Sequence, residues 1–202
     1  ASERDRARVR ELGFEPGDVA SIQSNTVVEW MLADLGTLCA GGVCNGIYPT
    51  DATNQTQYLC EDSRTRVLFV EDDEQLDKAL EARAHLPLLR HIVVFDMEGL
   101  ARFHDPMVMS LDALREAGRA HDAAHPGEFD RRAAVRTPQD LGILIYTSGT
   151  TGRPKGCLLT HANYRAITDS VVKQSVLEGG DVSYLFLPLA HVLTRVVALL
   201  SL

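Results

Sequence analysis

No run of apolar residues in this 202-residue chain approaches the roughly 20 that a helix needs to cross a bilayer. A spanning helix is therefore excluded, and peripheral contact is the only membrane association left open. Basic residues are outnumbered, 20 Lys and Arg against 28 Asp and Glu, giving a formal net charge of -8 and a pI of about 5.3. That balance argues against a nucleic-acid surface and leaves any anion to be met by local design. The four cysteines, Cys39, Cys44, Cys60 and Cys157, fall at no metal-ligand spacing. They read as small buried apolar residues, and with no signal-peptide pattern at the start a reducing cytoplasm is the expected setting. There is no internal repeat and no low-complexity tract. What remains is a chain with 45% hydrophobic residues, enough to bury a core.

Strand and helix patterns alternate along most of that chain. Val19 to Gln23 reads as a short strand, and Asn25 stands as N-cap for a helix over Val27 to Ala40, with Trp30, Met31, Leu35 and Leu38 at helical spacing. Gly41-Gly42 stops it, Val43 to Tyr48 returns as a strand, and a helix over Thr53 to Asp62 leads to the apolar run Val67 to Val70. Acidic Glu71 to Glu74 marks the next helix start, and His91 to Phe95 is a further strand. Such alternation predicts an α/β fold with a doubly wound, mostly parallel sheet. The expected organisation is an alternating part over 18–96, a variable part over 97–137, and a loop-bearing part over 138–202.

The variable part carries a weak helix signal over Leu111 to Ala120, followed by loop-like His121 to Gly127. His121 and His125 are four apart, but Pro126-Gly127 speaks against a helix there, and two ligands fall short of the usual three or four. A zinc site is not the expectation. Beyond the loop, a helix over Ala162 to Leu177 precedes the apolar run Val182 to Leu187, read as a strand beside the one before the loop.

The most informative stretch is Tyr146-Thr147-Ser148-Gly149-Thr150-Thr151-Gly152-Arg153-Pro154-Lys155-Gly156, read as a loop between the strand ending at Tyr146 and a helix starting at Thr160-His161. Glycines let backbone amides approach a bulky anion, and four hydroxyls can donate to phosphate oxygens or offer a lone pair to Mg2+. Lys155 adds one compact positive charge. The combination suits a polyphosphate, although Pro154 before the lysine and Gly156 after it exclude a Walker A loop.

The same eleven residues resemble the signature of the AMP-forming acyl and aryl synthetases, the adenylate-forming or AMP-binding family. Leu187-Pro188-Leu189-Ala190-His191 resembles that family's Pro-x-x-His segment, although a lone histidine at a strand-to-helix junction more often serves structure. Val28-Glu29-Trp30-Met31-Leu32, Ile47-Tyr48-Pro49-Thr50, Leu59 to Ser63 and Gly156 to His161 look most like bacterial long-chain fatty-acid CoA ligases. Departures stand at Asn45-Gly46, where those ligases tend to carry proline before Ile-Tyr, and at Thr194; both bear on acyl chain length.

The resemblance implies ATP, Mg2+ and CoA as cofactor and co-substrates, and activation of a carboxylate first to an acyl-adenylate and then to a thioester. It places Thr147, Ser148, Gly149, Thr150, Thr151, Gly152 and Lys155 around the phosphates, Thr147 at the metal, and His191 and Leu193 beside the acyl and adenylate pocket. No residue of the chain is assigned as a general acid or base. The family's aromatic-Gly-x-Thr-Glu segment, ribose-binding aspartate, hinge and late lysine do not occur in residues 1–202, so an N-terminal fragment is expected, inactive alone. Rival readings are an aryl-CoA ligase, a peptide-synthetase adenylation domain, and a non-catalytic nucleotide-binding scaffold.

Overall fold

Between Thr65 and Val70, Val67 and Phe69 belong to one buried cluster while Leu68 and Val70 belong to another. Alternate side chains of a strand point to opposite faces, so a strand buried throughout must lie in a sheet covered on both sides. The computed structural model has that architecture, and describes residues 13–148, 152–174 and 182–201.

In chain order the elements are β1 (Val19–Gln23), α1 (Val28–Cys39), β2 (Val43–Ile47), α2 (Thr53–Asp62), β3 (Thr65–Val70), α3 (Asp73–Ala82), β4 (His91–Val94) and β5 (Val108–Ser110). Then come α4 (Leu111–Ala124), α5 (Glu128–Ala134), β6 (Leu141–Thr147), β7 (Lys155–Thr160), α6 (His161–Val172) and α7 (Val192–Leu200). The seven strands lie in the order β5-β4-β3-β1-β2-β6-β7. All neighbours are parallel except β6 and β7, which are antiparallel.

One face is covered by α1, α4 and α7, whose Trp30, Leu114 and Ala198 meet Ala20, Ile22, Val67 and Phe69. The other is covered by α2 and α3, with Leu59, Leu76 and Ala79 against Ile47, Leu68, Val70, Ile92 and Val94. Several polar side chains buried within the sheet pair with one another, although Asn45 Oδ1 and Gln23 Oε1 have no partner among the described residues. Asn45 Nδ2 donates to Ser21 Oγ at 2.9 Å, Ser21 and Thr65 hydroxyls are 2.6 Å apart, and Ser63 and Thr65 hydroxyls 2.7 Å apart. Paired in this way they cost little to bury.

Local chemistry explains most element ends. Asp72 caps α3 by accepting from the amides of Glu74 and Gln75 at 3.0 and 3.3 Å, and Thr160 with Asn163 closes a capping box on α6. Gly41, at φ +86°, turns the chain out of α1.

Several expectations are corrected. Asn25 does not cap α1, because its amide and side chain both donate to Glu71 Oε2, at 2.6 and 2.9 Å. Residues 182–187 form no strand; β6 already has β2 on one side and β7 on the other, so no sheet edge remains beside it. Helix α4 continues through His121 to Ala124, and β5 and α5 had no clear signal in the sequence. No helix among the described residues is long and apolar enough to cross a membrane.

The last described helix is held to the first by charge. Arg195 of α7 and Asp34 of α1 form a buried ion pair, each side chain 2% exposed, and the guanidinium lies 5.2 Å from the centre of the Trp30 ring. Burial works against the charged guanidinium, but Asp34, with smaller help from Cys44 and Tyr164, offsets it and the arginine's pKa stands above its usual value. An Asp34→Ala variant leaves that cation buried without its partner and is expected to lose about 3–5 kcal/mol of stability in urea denaturation. Pairing it with Arg195→Met should recover most of the loss.

Burial also separates the thiols. It pushes the Cys60 thiol up to about 12 and raises that of Cys44 well above its ordinary value, while Cys157 is exposed. Since the thiolate is the reactive form, Cys157 is expected to take iodoacetamide at pH 8 while Cys44 and Cys60 react only after denaturation, as peptide mass spectrometry would read.

Candidate functional site

Strands β2 and β6 run side by side in parallel, with Cys44 opposite Ile143 and Asn45 opposite Leu144. Their onward connections diverge: β2 leads through α2 back across β1 to β3, and β6 turns outward to β7. Divergence of this kind opens a crevice at the carboxyl ends of the strands. Here it is a cleft of about 380 Å³, bordered by Gly46 near the end of β2 and Asp51 after it, Thr147 and Ser148 at the end of β6, Pro154, and His191 before α7.

Each wall has a local cause. A Cβ on Gly46 would come within 2.7 Å of the Ala190 Cα, so only glycine lets the His191 segment approach the sheet that closely. His191 is the N-cap of α7, its Nδ1 accepting from the Leu193 amide at 3.3 Å. The bland structural role and a place on the cleft wall therefore coincide in one side chain. Leu193 does not share that cleft; it is 55% exposed and lines a separate apolar groove of about 190 Å³ with Tyr184, Phe186 and Val197.

The glycine and hydroxyl-rich stretch lies between two strands, not between a strand and a helix. Thr147 pairs with Lys155 across the antiparallel β6–β7 hairpin, and helix α6 begins only after β7. The strand character of Lys155 to Thr160 was masked by the glycine and proline around its start. The dipole of α6 thus contributes nothing directly at the loop, and Thr147, Ser148 and Lys155 are exposed beside it. Gly149, Thr150 and Thr151 lie outside the described residues. Gly152, at φ +116°, occupies backbone space that side-chain-bearing residues rarely adopt.

Tyrosines fasten this hairpin to α2. The Tyr146 hydroxyl donates to Asp62 at 2.6 Å and the Tyr58 hydroxyl to the Pro154 carbonyl at 2.8 Å. The two rings meet edge to face with centroids 6.4 Å apart, and the Arg153 guanidinium lies 5.1 Å from the Tyr58 centroid. Both ends of the loop are therefore held.

Asp51 is a cleft residue that sequence reasoning passed over. Its backbone amide donates to the Tyr48 carbonyl at 3.0 Å; its Oδ2 is buried with no hydrogen-bond partner among the described residues. Burial raises its carboxyl pKa, opposed by hydrogen bonding from the Tyr48 backbone and by the Lys78 charge. The available signal was an acidic residue just after a Pro-Thr turn at the end of a strand.

Comparison with known proteins agrees with this geometry. The AMP-binding enzyme family model matches residues 4–202. Over 190 residues the chain is 36% identical to the long-chain-fatty-acid CoA ligase FadD15 of Mycobacterium bovis, covering 93% of this chain and 30% of that protein. The chain thus spans about a third or less of the length of this relative. Among solved structures, the anthranilate CoA ligase AuaEII in complex with anthranoyl-AMP superposes with a TM-score of 0.68 at 26% identity, covering 82% of this chain and 29% of that one. The A domain of carboxylic acid reductase from Segniliparus rugosus, in complex with AMP and a carboxylic acid, has the same fold, with a TM-score of 0.71 at 23% identity over 96% of this chain and 34% of that one. With its family model matched from near the first residue to the last and a mostly parallel sheet opening on the glycine and hydroxyl-rich hairpin, the chain belongs to the AMP-binding enzyme family.

Proposed function

We propose that this chain is the N-terminal part of an ATP-dependent long-chain fatty-acid CoA ligase, and that its cleft between β2 and β6 receives the nucleotide and the carboxylate. The observation that carries the reading is the meeting of Thr147, Ser148 and His191 on one cleft at the carboxyl ends of two parallel strands. The 36% identity to FadD15 supports a fatty acid as the acid.

In the first step a carboxylate oxygen forms a bond to the α-phosphorus of ATP as the bond to pyrophosphate breaks. In the second the CoA thiol attacks the acyl carbonyl, loses its proton to solvent, and AMP departs. A fatty carboxylate, with a pKa near that of other carboxyls at about 4, is already ionised at pH 7 and needs no general base. The protein's work is positioning and charge stabilisation.

Thr147, Ser148, Gly149, Thr150, Thr151, Gly152 and Lys155 surround the β- and γ-phosphates in this reading. Thr147 offers a hydroxyl oxygen to Mg2+, whose charge would offset that of the phosphates. His191 walls the adenylate side of the cleft, and Leu193 extends the acyl side through the neighbouring apolar groove. Residues 18–96 supply the scaffold, 97–137 a variable edge, and 138–202 the phosphate-binding wall. The protein works in the cytoplasm, and these residues turn over substrate only with the remainder of the enzyme, since they span about 30% of the length of FadD15.

On the complete parent chain, ATP–pyrophosphate exchange is expected with long-chain fatty acids and not with aryl acids or amino acids. Exchange driven by an aryl acid alone would favour an aryl-CoA ligase, and none with any acid would favour a nucleotide-binding scaffold. Thr147→Val removes a hydroxyl whose bond to a charged phosphate is worth about 1.5–3 kcal/mol, so exchange should fall about tenfold to a hundredfold. Unchanged exchange would remove Thr147 from the phosphate site.

A further inference from the structure

At the joint between α4 and α5 the chain reverses through Pro126 and Gly127, and Gly127, at φ +70°, turns the backbone so that Glu128 opens the next helix. His121 lies in the last turn of α4 and His125 is its C-cap residue. The turn thus returns a carboxylate toward two imidazoles that share one end of the helix. One ligand atom from each of His121, His125 and Glu128 lies within 4.8 Å of the other two.

The protonation pattern suits a cation. His125 Nδ1 lies 3.1 Å from the His121 carbonyl oxygen. That oxygen only accepts, so Nδ1 carries the hydrogen and Nε2 keeps its lone pair. A backbone carbonyl fixing the far nitrogen is the usual outer support of a metal-binding histidine. The two rings stack, with centroids 4.3 Å apart and planes 25° from parallel. His121 Nε2 and Glu128 Oε2 are 3.1 Å apart, close to the separation of about 3.4 Å that two ligands adopt on a tetrahedral zinc.

Charge is divided to the same end. Arg132 Nε stands 3.7 Å from Glu128 Oε1, the other carboxylate oxygen, which orients the carboxylate and leaves Oε2 toward the histidines. The carboxyl end of the fourteen-residue helix α4 adds the negative pole of its dipole. Oxygen-seeking Mg2+ and Ca2+ are poorly served by two imidazoles, whereas a dication such as Zn2+ takes two histidines and a carboxylate readily.

We propose that His121, His125 and Glu128 bind one Zn2+-class dication, with water as the fourth ligand, and that the ion clips α4 to α5. The site lies in the variable part of the chain, away from the β2–β6 cleft, and does not rest on the ligase reading.

Metal-free protein titrated with Co2+ should develop the visible absorption of a tetrahedral site at one equivalent, and Zn2+ should bleach it. The variants His125→Ala and Glu128→Gln should each weaken Zn2+ binding by at least about tenfold, while Cys157→Ser, which removes the exposed thiol, should leave it unchanged. Zn2+ should also raise the melting temperature of the unaltered protein and not that of the double variant combining His125→Ala with Glu128→Gln, with His125→Ala alone melting as before in the absence of metal. Absence of one-equivalent binding, or binding that persists in the double variant, would overturn the site.

Discussion

A buried ion pair seats the last described helix, α7, on the first, α1. Arg195 reaches from α7 across to Asp34 on α1, and the Trp30 ring lies against the guanidinium. Removing two charges from water is costly, and only close pairing offsets that cost. Because the charges are compensated only when α7 lies in one position along α1, the pair favours that register over any sliding alternative. His191 caps the same helix one turn earlier, so the pair that seats α7 also seats the histidine at the cleft.

The sheet provides the opposite wall by a different principle. Parallel strands need crossover connections, and where neighbouring crossovers leave in opposite directions nothing covers the strand ends between them. Thr147 and Ser148 sit at such an end on β6, with Gly46 near the end of β2 and Asp51 just beyond it. Gly46 then allows Ala190 to approach the sheet as no larger residue could. Cleft-lining groups drawn from three distant parts of the chain are thereby fixed by rigid elements, while the loop that follows Thr147 is tied down by Tyr58 and Tyr146 on either flank. The arrangement suits a reaction in which the protein mainly positions charged groups and supplies no base of its own.

Family membership and the cleft constrain each other. A match spanning residues 4–202 explains why a glycine and hydroxyl-rich turn and a Pro-x-x-His segment occur in one chain; the coordinates add that Ser148 and His191 face a common space while Leu193 opens onto another. The acidic residue at that space, Asp51, has a carboxyl made harder to ionise by burial.

The sequence by itself determined the α/β class, the first four strands along the chain, the starts of α3 and α6, and the chemical character of the glycine and hydroxyl-rich loop. Those features are local: alternation along a strand, helical spacing around Trp30, and hydroxyls and glycines in one contiguous run speak through neighbours a few residues apart. Only the tertiary structure decided that Lys155 to Thr160 completes a hairpin, that Val182 to Leu187 finds no sheet edge, and that Asp34 and Arg195 are partners. It alone also joined His121, His125 and Glu128 across a proline and glycine turn that reads as the end of order. In each case the deciding term is a contact between residues far apart in the chain, or a backbone reversal at one glycine, and neither leaves a period for the sequence to display.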